Sequence, residues 1–193
     1  KYKTDTATLA RWLDVSIVKE KGRAFDADRY LIKKKEADYF PPVKVFNLNG
    51  KNILIPDQIE GKAKLVVFSF KHYGFTLVRS WINPYIERFN SSTKSLSSNE
   101  NNGDEGEMQD VSSQISTSAV QSGGAHPNAT TIILLQLFLP QDFAAQLLLP
   151  NVYTGYAYLL DRDNKVRWRG SGQATEQEIE AMLECTEQLL QER

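Results

Sequence analysis

The run LVVFSF at residues 65–70 constrains the fold more than any other part of the chain. A strand with one solvent-facing side alternates apolar and polar residues, and this run shows no such alternation. We therefore predict a central strand that is buried on both faces of a sheet. Residues 76–89 follow with apolar side chains at helical spacing, and Pro84 inside this pattern should kink the helix. A strand followed by a helix is the start of a βα unit.

Further strands are predicted on both sides of this unit. Residues 43–46 and 53–55 flank the dipeptide Asn49-Gly50, which is a hairpin signal. The apolar segment TTIILLQLFL at 130–139 predicts another strand. Its longest apolar stretch, the eight residues 132–139, contains Gln136 and is far shorter than the ~20 residues that a membrane-spanning helix needs.

The last 40 residues contain a second hairpin and a helix. Residues 154–161 and 166–170 are predicted strands, joined by a turn that is rich in Asp and Asn. Thr175 and Glu178 form a capping box ahead of an apolar stripe that is typical of a helix. The mixture of parallel and antiparallel pairs predicts an α/β thioredoxin-like sandwich, in which a mixed β-sheet is flanked by helices.

A serine-rich, acidic segment interrupts this pattern at 91–129. Ten of its 39 residues are serine, none is aromatic, and five acids face one lysine. Such a segment cannot bury enough apolar surface to offset the entropy lost on ordering, so we predict a disordered insert. The predicted domain organisation is a lead-in at 1–40 and a thioredoxin-like domain at 41–193 that contains the insert.

The lead-in at 1–40 is basic and amphipathic. Residues 5–38 are predicted to be helical in two pieces, separated near Gly22. Residues 1–90 carry 17 Lys and Arg against 10 Asp and Glu, whereas residues 91–193 carry 6 against 14. The lead-in is therefore either an arm that contacts a membrane surface or a partner, or a helix packed on the domain.

The residues that catalysis requires are largely missing. A thiol oxidoreductase needs a thiolate at the end of the central strand, but none of residues 71–78 is Cys. The single cysteine, Cys185, lies on the flank of the C-terminal helix stripe, where we predict a structural thiol. His72 is predicted to be a solvent-facing loop residue, and Asp161 and Asp163 are predicted turn formers. We predict no catalytic, cofactor-binding or metal-binding residues, and no stacking platform for nucleic acid is apparent.

The segment Arg167-Trp168-Arg169 has two interpretations. Strand alternation turns both arginines to one face and the tryptophan to the other. An exposed arginine pair on an edge hairpin would bind an acidic partner, or it would protect the edge from aggregation.

The sequence also resembles a known family. FNLNGKNILIPDQIEGKAKLVVFSF at 46–70 resembles the opening of thioredoxin-like and peroxiredoxin-like domains. The segment YFPPVKVFNLNGK, the pattern SW..PY at 80–85, and NVYTGYAYLLDRDNKVRWRGSGQAT at 151–175 together resemble the mitochondrial ATP synthase assembly-factor family. The resemblance covers roughly 30–90 and 130–190, and the serine-rich segment departs from the family's pattern.

The resemblance implies a non-catalytic chaperone on the matrix side of the mitochondrial inner membrane. Its expected partner is the hydrophobic channel subunit of the ATP synthase membrane sector, which it would bind before incorporation, with peripheral association with the membrane. The residues expected to contact a partner are Trp81, Tyr85, Arg167, Trp168 and Arg169. Two alternatives remain open: a thioredoxin-like thiol peroxidase or reductase that uses Cys185, and a generic thioredoxin-fold adaptor.

Overall fold

The computed structural model describes residues 15–46, 52–89, 118–120, 129–135, 143, 146–147 and 149–192. Its elements in chain order are a 3₁₀ helix (Val15–Glu20), β1 (Val43–Phe46), β2 (Asn52–Ile55), β3 (Ala63–Ser69), α1 (His72–Phe89), β4 (Ser118–Val120), β5 (Ala129–Leu135), β6 (Gly155–Asp161), β7 (Val166–Ser171) and α2 (Glu176–Gln191).

The main sheet has the order β4-β5-β3-β6-β7. β3 pairs parallel with β5 and antiparallel with β6, and β6 pairs antiparallel with β7. All seven residues of β3 are buried, which confirms the predicted central strand. A βαβ unit followed by an antiparallel hairpin and a terminal helix is the thioredoxin-like arrangement, so the predicted fold class is confirmed.

The two faces of the sheet are covered differently. Alternate residues of β3 point to opposite faces, so Val66 and Phe68 enter one hydrophobic cluster while Leu65 and Val67 enter the other. Both α1 and α2 pack on the second face. The antiparallel β1–β2 hairpin, which the sequence predicts, contributes to the first face with Phe40.

Helix α1 packs closely on β6 because Gly74 of the helix lies directly against Gly155 and Thr154 at the start of the strand. A Cβ atom on Gly155 would overlap the Val78 side chain and the backbone carbonyl of Gly74. A Cβ atom on Gly74 would in turn overlap the backbone of Thr154. Neither residue can therefore be larger unless α1 moves away from the sheet.

Residues 21–38, which we call the strap, run along the outer edge of β7. The Asp28 amide donates to the Arg169 carbonyl at 3.0 Å, and the Ile32 amide donates to the Arg167 carbonyl at 2.7 Å. The Trp168 indole nitrogen donates to the Asp28 carbonyl at 2.6 Å. The strap therefore donates hydrogen bonds to the outer edge of β7, whose carbonyls would otherwise lack a partner in the fold.

The strap contradicts part of the predicted lead-in. A second helix within 26–38 is wrong, because these residues form bends and turns: the amides of Asp28 and Ile32 donate to β7 carbonyls, and one internal turn has the Glu36 amide donating to the Lys33 carbonyl. Of the first predicted helical piece, only 15–20 is described, and it is a 3₁₀ helix. The domain boundary after residue 40 stays a prediction.

Other boundaries differ in detail from the predicted ones. Helix α1 begins at His72 rather than at residue 76. The Asn49-Gly50 turn lies outside the described residues, as does the predicted disordered insert at 91–129 except for β4 and Ala129. Among the described helices, none has the length and apolar character that crossing a membrane requires.

Candidate functional site

The loop after β3 is where a thioredoxin-like enzyme would place its nucleophile. Here β3 ends at Ser69, and α1 begins at His72, whose side chain is exposed. The strap covers this end of the sheet: the Thr154 hydroxyl donates to the Gly22 carbonyl, and the Gln173 amide donates to the Lys21 carbonyl at 3.1 Å. The position holds no thiol, and the strap packs beside it on the first turns of α1, while Lys71 and His72 are exposed.

Gly22 makes this close approach possible. Its φ is +68°, a left-handed conformation that glycine adopts readily, and a Cβ atom there would overlap the Leu77 side chain. The strap thus contacts the first turns of α1 where a substrate of a catalytic thioredoxin-like protein would have to enter.

Cys185 lies in the middle of α2 and faces the sheet. The residue is 1% exposed, and burial, with a contribution from the nearby Glu184 carboxylate, raises the pKa of its thiol to about 11. A thiolate is the reactive form of cysteine, so this thiol is suited to packing rather than to exchange. The predicted structural role is consistent with this burial.

We expect iodoacetamide to alkylate Cys185 about 100-fold more slowly in the native protein at pH 8 than in the unfolded protein, because the raised pKa leaves little thiolate. Mass spectrometry of samples quenched over time measures the two rates. The denatured chain is the internal control, because it contains the same single thiol. Equal rates in both states would show that the thiol is accessible and ionised in the fold.

Three of the residues expected to contact a partner are buried in the core. Trp81, Tyr85 and Trp168 are each 0% exposed. The rings of Trp81 and Trp168 meet edge to face with centroids 5.3 Å apart, and the Trp81 indole nitrogen donates to the Gly172 carbonyl at 2.8 Å. These side chains join α1 to the sheet and do not reach the surface.

A bulge in β7 breaks the strand alternation at Arg167, and the two arginines are not an exposed pair on one face: Arg167 lies towards the end of α2, whereas Arg169 lies over the Phe25 ring. The Arg167 side chain is 3% exposed, whereas that of Arg169 is 50% exposed. Interpreting them as an exposed pair is therefore wrong, because the strap and the end of α2 cover Arg167. Arg169 is the member of the proposed partner-binding set whose side chain reaches solvent.

Arg167 joins three separate parts of the fold. Its guanidinium donates to the Asp161 carboxylate at 3.1 Å, to the Glu192 carboxylate at 2.7 and 2.9 Å, and to the Ile32 carbonyl at 2.6 Å. The other oxygen of Asp161 accepts the amides of Asp163 and Lys165, which confirms the predicted turn. The Arg167 guanidinium therefore links the strap, the β6–β7 turn and the end of α2.

Glu178 connects the strap to the start of α2. It completes the predicted capping box with Thr175, which is confirmed, and it also accepts hydrogen bonds from Arg23 and from the Ala27 amide. Burial by itself raises the pKa of Glu178, but the hydrogen bonds from Arg23, Thr175 and Ala27 outweigh burial and lower the pKa to about 2. The capping box could be predicted from the sequence because its two residues are close together. The contact with Arg23 could not, because that residue is 155 positions away.

We expect acid to weaken the attachment of the strap. The pKa of Glu178 is depressed in the folded state, so its stabilisation is complete above its unfolded pKa of 4.5 and is lost as the pH falls towards 2. Thermal melting between pH 5 and pH 2 measures this loss. The Glu178→Gln variant should show a shallower fall in melting temperature than wild type, and the exposed Glu176→Gln variant should not. Parallel curves for all three proteins would contradict the assignment.

One end of the domain is basic and contains two exposed tyrosines, Tyr30 and Tyr39, with exposures of 82% and 68%. The Lys165 ammonium lies 5.1 Å from the centre of the Tyr39 ring and donates to the Lys34 carbonyl at 2.9 Å. This basic end comprises Tyr30, Lys33, Lys34, Lys35, Tyr39 and Lys165, and two of its lysines are in ion pairs, Lys33 with Glu36 and Lys34 with Asp163.

A shallow groove of about 500 Å³ lies along the exposed side of α2. It is lined by Arg88 of α1 and by six residues of α2: Glu176, Ile179, Glu180, Leu183, Glu184 and Glu187. Its lining is apolar at the base and acidic at the rim. Among the described residues, no cluster of three or more His, Cys, Asp or Glu is placed to hold a metal ion.

Comparisons with known proteins agree on one relationship. The pattern of the family described as "ATP10 protein" matches residues 9–189. A relative named mitochondrial ATPase complex subunit ATP10, from Saccharomyces cerevisiae, is 25% identical over 185 residues, which cover 89% of this chain and 66% of the relative. The chain thus spans slightly less than two thirds of that relative's length.

A solved structure of BsSco, described as a member of the Sco family of cytochrome c oxidase assembly proteins, also matches. It is 12% identical with a TM-score of 0.46, over 84% of this chain and 99% of that chain.

Proposed function

Because the chain belongs to the ATP10 protein family, we propose that it acts as a non-catalytic assembly factor of the mitochondrial ATP synthase. The single observation that supports this proposal is the family match, which extends over 9–189 and therefore includes the strap, the sheet and most of α2. The geometry is consistent with a binding role, because the loop after β3 has no thiol and the strap packs beside it against the start of α1.

The proposed client is the hydrophobic channel subunit of the membrane sector, held until it is incorporated. Before assembly, such a subunit exposes apolar helices that need a protein surface to shield them. Within the described part of the chain, Arg169 is the member of the proposed contact set with substantial exposure, and it remains a candidate contact. Trp81, Tyr85, Arg167 and Trp168 would act indirectly, by holding the shape of the surface.

We further propose that the protein lies on the matrix face of the inner membrane as a peripheral protein. The basic end supports this orientation, because lysines attract anionic lipid headgroups and tyrosine side chains suit the interface between lipid and water. Alkaline carbonate should release the protein from mitochondrial membranes. Retention in the carbonate-resistant pellet would contradict peripheral attachment.

Crosslinking in intact mitochondria tests the client. A photoreactive amino acid at Arg169 should yield a crosslinked product that contains the channel subunit, identified by mass spectrometry. The matched control places the same amino acid at Arg79, which is also exposed but lies on α1. Recovery of ATP synthase subunits other than the channel subunit would contradict the proposed client, and recovery of none would remove the assembly role.

The redox alternative gains no support from the geometry, because Cys185 is buried and its thiol has a raised pKa. We expect Cys185→Ser to leave the yield of the crosslinked product unchanged. Peroxide consumption by the purified protein that disappears in this variant would instead establish a thiol enzyme.

A further inference from the structure

Helix α2 carries an unusual charge pattern. Its 16 residues include five glutamates and neither Lys nor Arg. Glu178 pairs with Arg23, and Glu187 pairs with Arg88. The other three glutamates, Glu176, Glu180 and Glu184, form no ion pair with any described residue.

These three glutamates form a line on the exposed surface, which we call the acidic stripe. Successive members are four residues apart, so their side chains are neighbours on one face of the helix. Like charges at this spacing destabilise a helix, and α2 contains no cation to offset them. A local arrangement that opposes folding without a compensating contact is typical of a functional surface.

The acidic stripe borders the groove on α2. Ile179 and Leu183, which are partly exposed, form its apolar base. At one end the Arg88 guanidinium lies 2.7 Å from the Glu187 carboxylate and links α1 to α2. Beyond this ion pair a second depression of about 380 Å³ continues along Phe89 and Leu190. Two depressions with mixed apolar and charged linings therefore flank the Arg88–Glu187 ion pair, and the first of them lies beside the acidic stripe.

We propose that this groove binds a basic amphipathic helix of another protein. The apolar face of such a helix would cover Ile179 and Leu183, while its Lys or Arg side chains would pair with the acidic stripe. Charge complementarity selects this occupant, because an acidic helix would be repelled and a wholly apolar one would leave the glutamates unpaired. The groove is distinct from the exposed arginine on β7 and does not depend on the identity of the assembly client.

The acidic stripe allows a test in which stability and binding change in opposite directions. In Glu180→Lys the new lysine lies four residues from both Glu176 and Glu184, so two repulsive pairs become attractive. The melting temperature should rise by about 2–4 °C. Binding should weaken, because the partner's cations lose one carboxylate and meet a like charge. A residue with a purely structural role would not produce this combination.

The probe is a fluorescent peptide of about 18 residues, long enough to span ~27 Å as a helix, built from Leu and Lys at amphipathic helical spacing. Fluorescence anisotropy with the full chain measures its Kd. Glu180→Lys combined with Glu184→Lys should weaken binding about tenfold, and about 0.5 M salt should weaken binding to wild type. The matched control changes Glu20 and Glu36, two exposed glutamates elsewhere, to Lys and should leave the Kd unchanged.

Three results would overturn the proposal. The first is an equal Kd for the α2 variant and the control variant, which would show that the peptide responds only to net charge. The second is tight binding of a peptide with the same composition but scrambled spacing. The third is the absence of binding together with an altered oligomeric state of the α2 variant in light scattering, which would make the groove a contact between copies.

Discussion

Replacing Arg167 with alanine is expected to lower the free energy of unfolding by about 3–5 kcal/mol, because the substitution leaves a buried carboxylate without its cation. Asp161 is 3% exposed, and its second oxygen is already used by the turn. The variant also loses the hydrogen bond to the Ile32 carbonyl and both bonds to Glu192. The strap and the end of α2 should therefore loosen together.

Chemical denaturation of both proteins measures this change. Arg169→Ala is the matched control, since it removes the same side chain two residues away at a half-exposed site and should cost less than about 1 kcal/mol. Arg167→Lys should restore only part of the loss, because an ammonium cannot make the forked contacts of a guanidinium. Equal destabilisation by the two alanine substitutions would contradict the role assigned to Arg167.

Replacing Trp81 with alanine should have an effect of similar size, about 3–5 kcal/mol, because a large buried side chain leaves a cavity between α1 and the sheet. The substitution removes the edge-to-face contact with Trp168, and the Gly172 carbonyl loses its indole donor. We expect less than additive destabilisation when Trp168→Ala is combined with it, since the two rings share one contact.

Denaturant titration of wild type, both single variants and the double variant measures this coupling. Crosslinking of a second variant, Trp81→Phe, distinguishes a core role of Trp81 from a role as a partner contact. If Trp81 is a core residue, Trp81→Phe should retain the crosslink to the client in proportion to its folded fraction. A stable Trp81→Phe variant that no longer crosslinks would instead support the original expectation of a partner contact.

Local patterns predicted much of the fold. The missing alternation in β3 correctly indicated burial on both faces, and Thr175 and Glu178 lie close enough in sequence for their capping box to be read directly. These features depend on residues that are neighbours along the chain. The predicted strands at 43–46, 53–55, 154–161 and 166–170 and the helix after β3 were confirmed for the same reason, whereas the strand predicted at 130–139 is described only as far as Leu135.

The strap and the buried arginine could not be predicted in this way. Residues 26–38 have a helical pattern, but their conformation is decided by hydrogen bonds with β7, about 135–140 residues away: strap amides donate to β7 carbonyls, and the side chains of Arg167 and Trp168 donate to strap carbonyls. Alternation predicted that Arg167 and Arg169 share one face, but a bulge breaks the alternation between Val166 and Trp168, and the pattern contained no information about what covers each side chain. Trp81 and Tyr85 belong to the apolar stripe of α1, and the family resemblance alone suggested a surface role for them.

The strap also has a consequence for the order of folding. It belongs to the first fifth of the chain, but its docking surfaces are β7 and α2, which are made last. Contacts between such distant parts of a sequence slow folding, since a long loop must close before they form. During synthesis, most contacts of the strap therefore form only after nearly the whole polypeptide is made, and nascent chains interrupted before residue 166 would lack its contacts with β7 and α2.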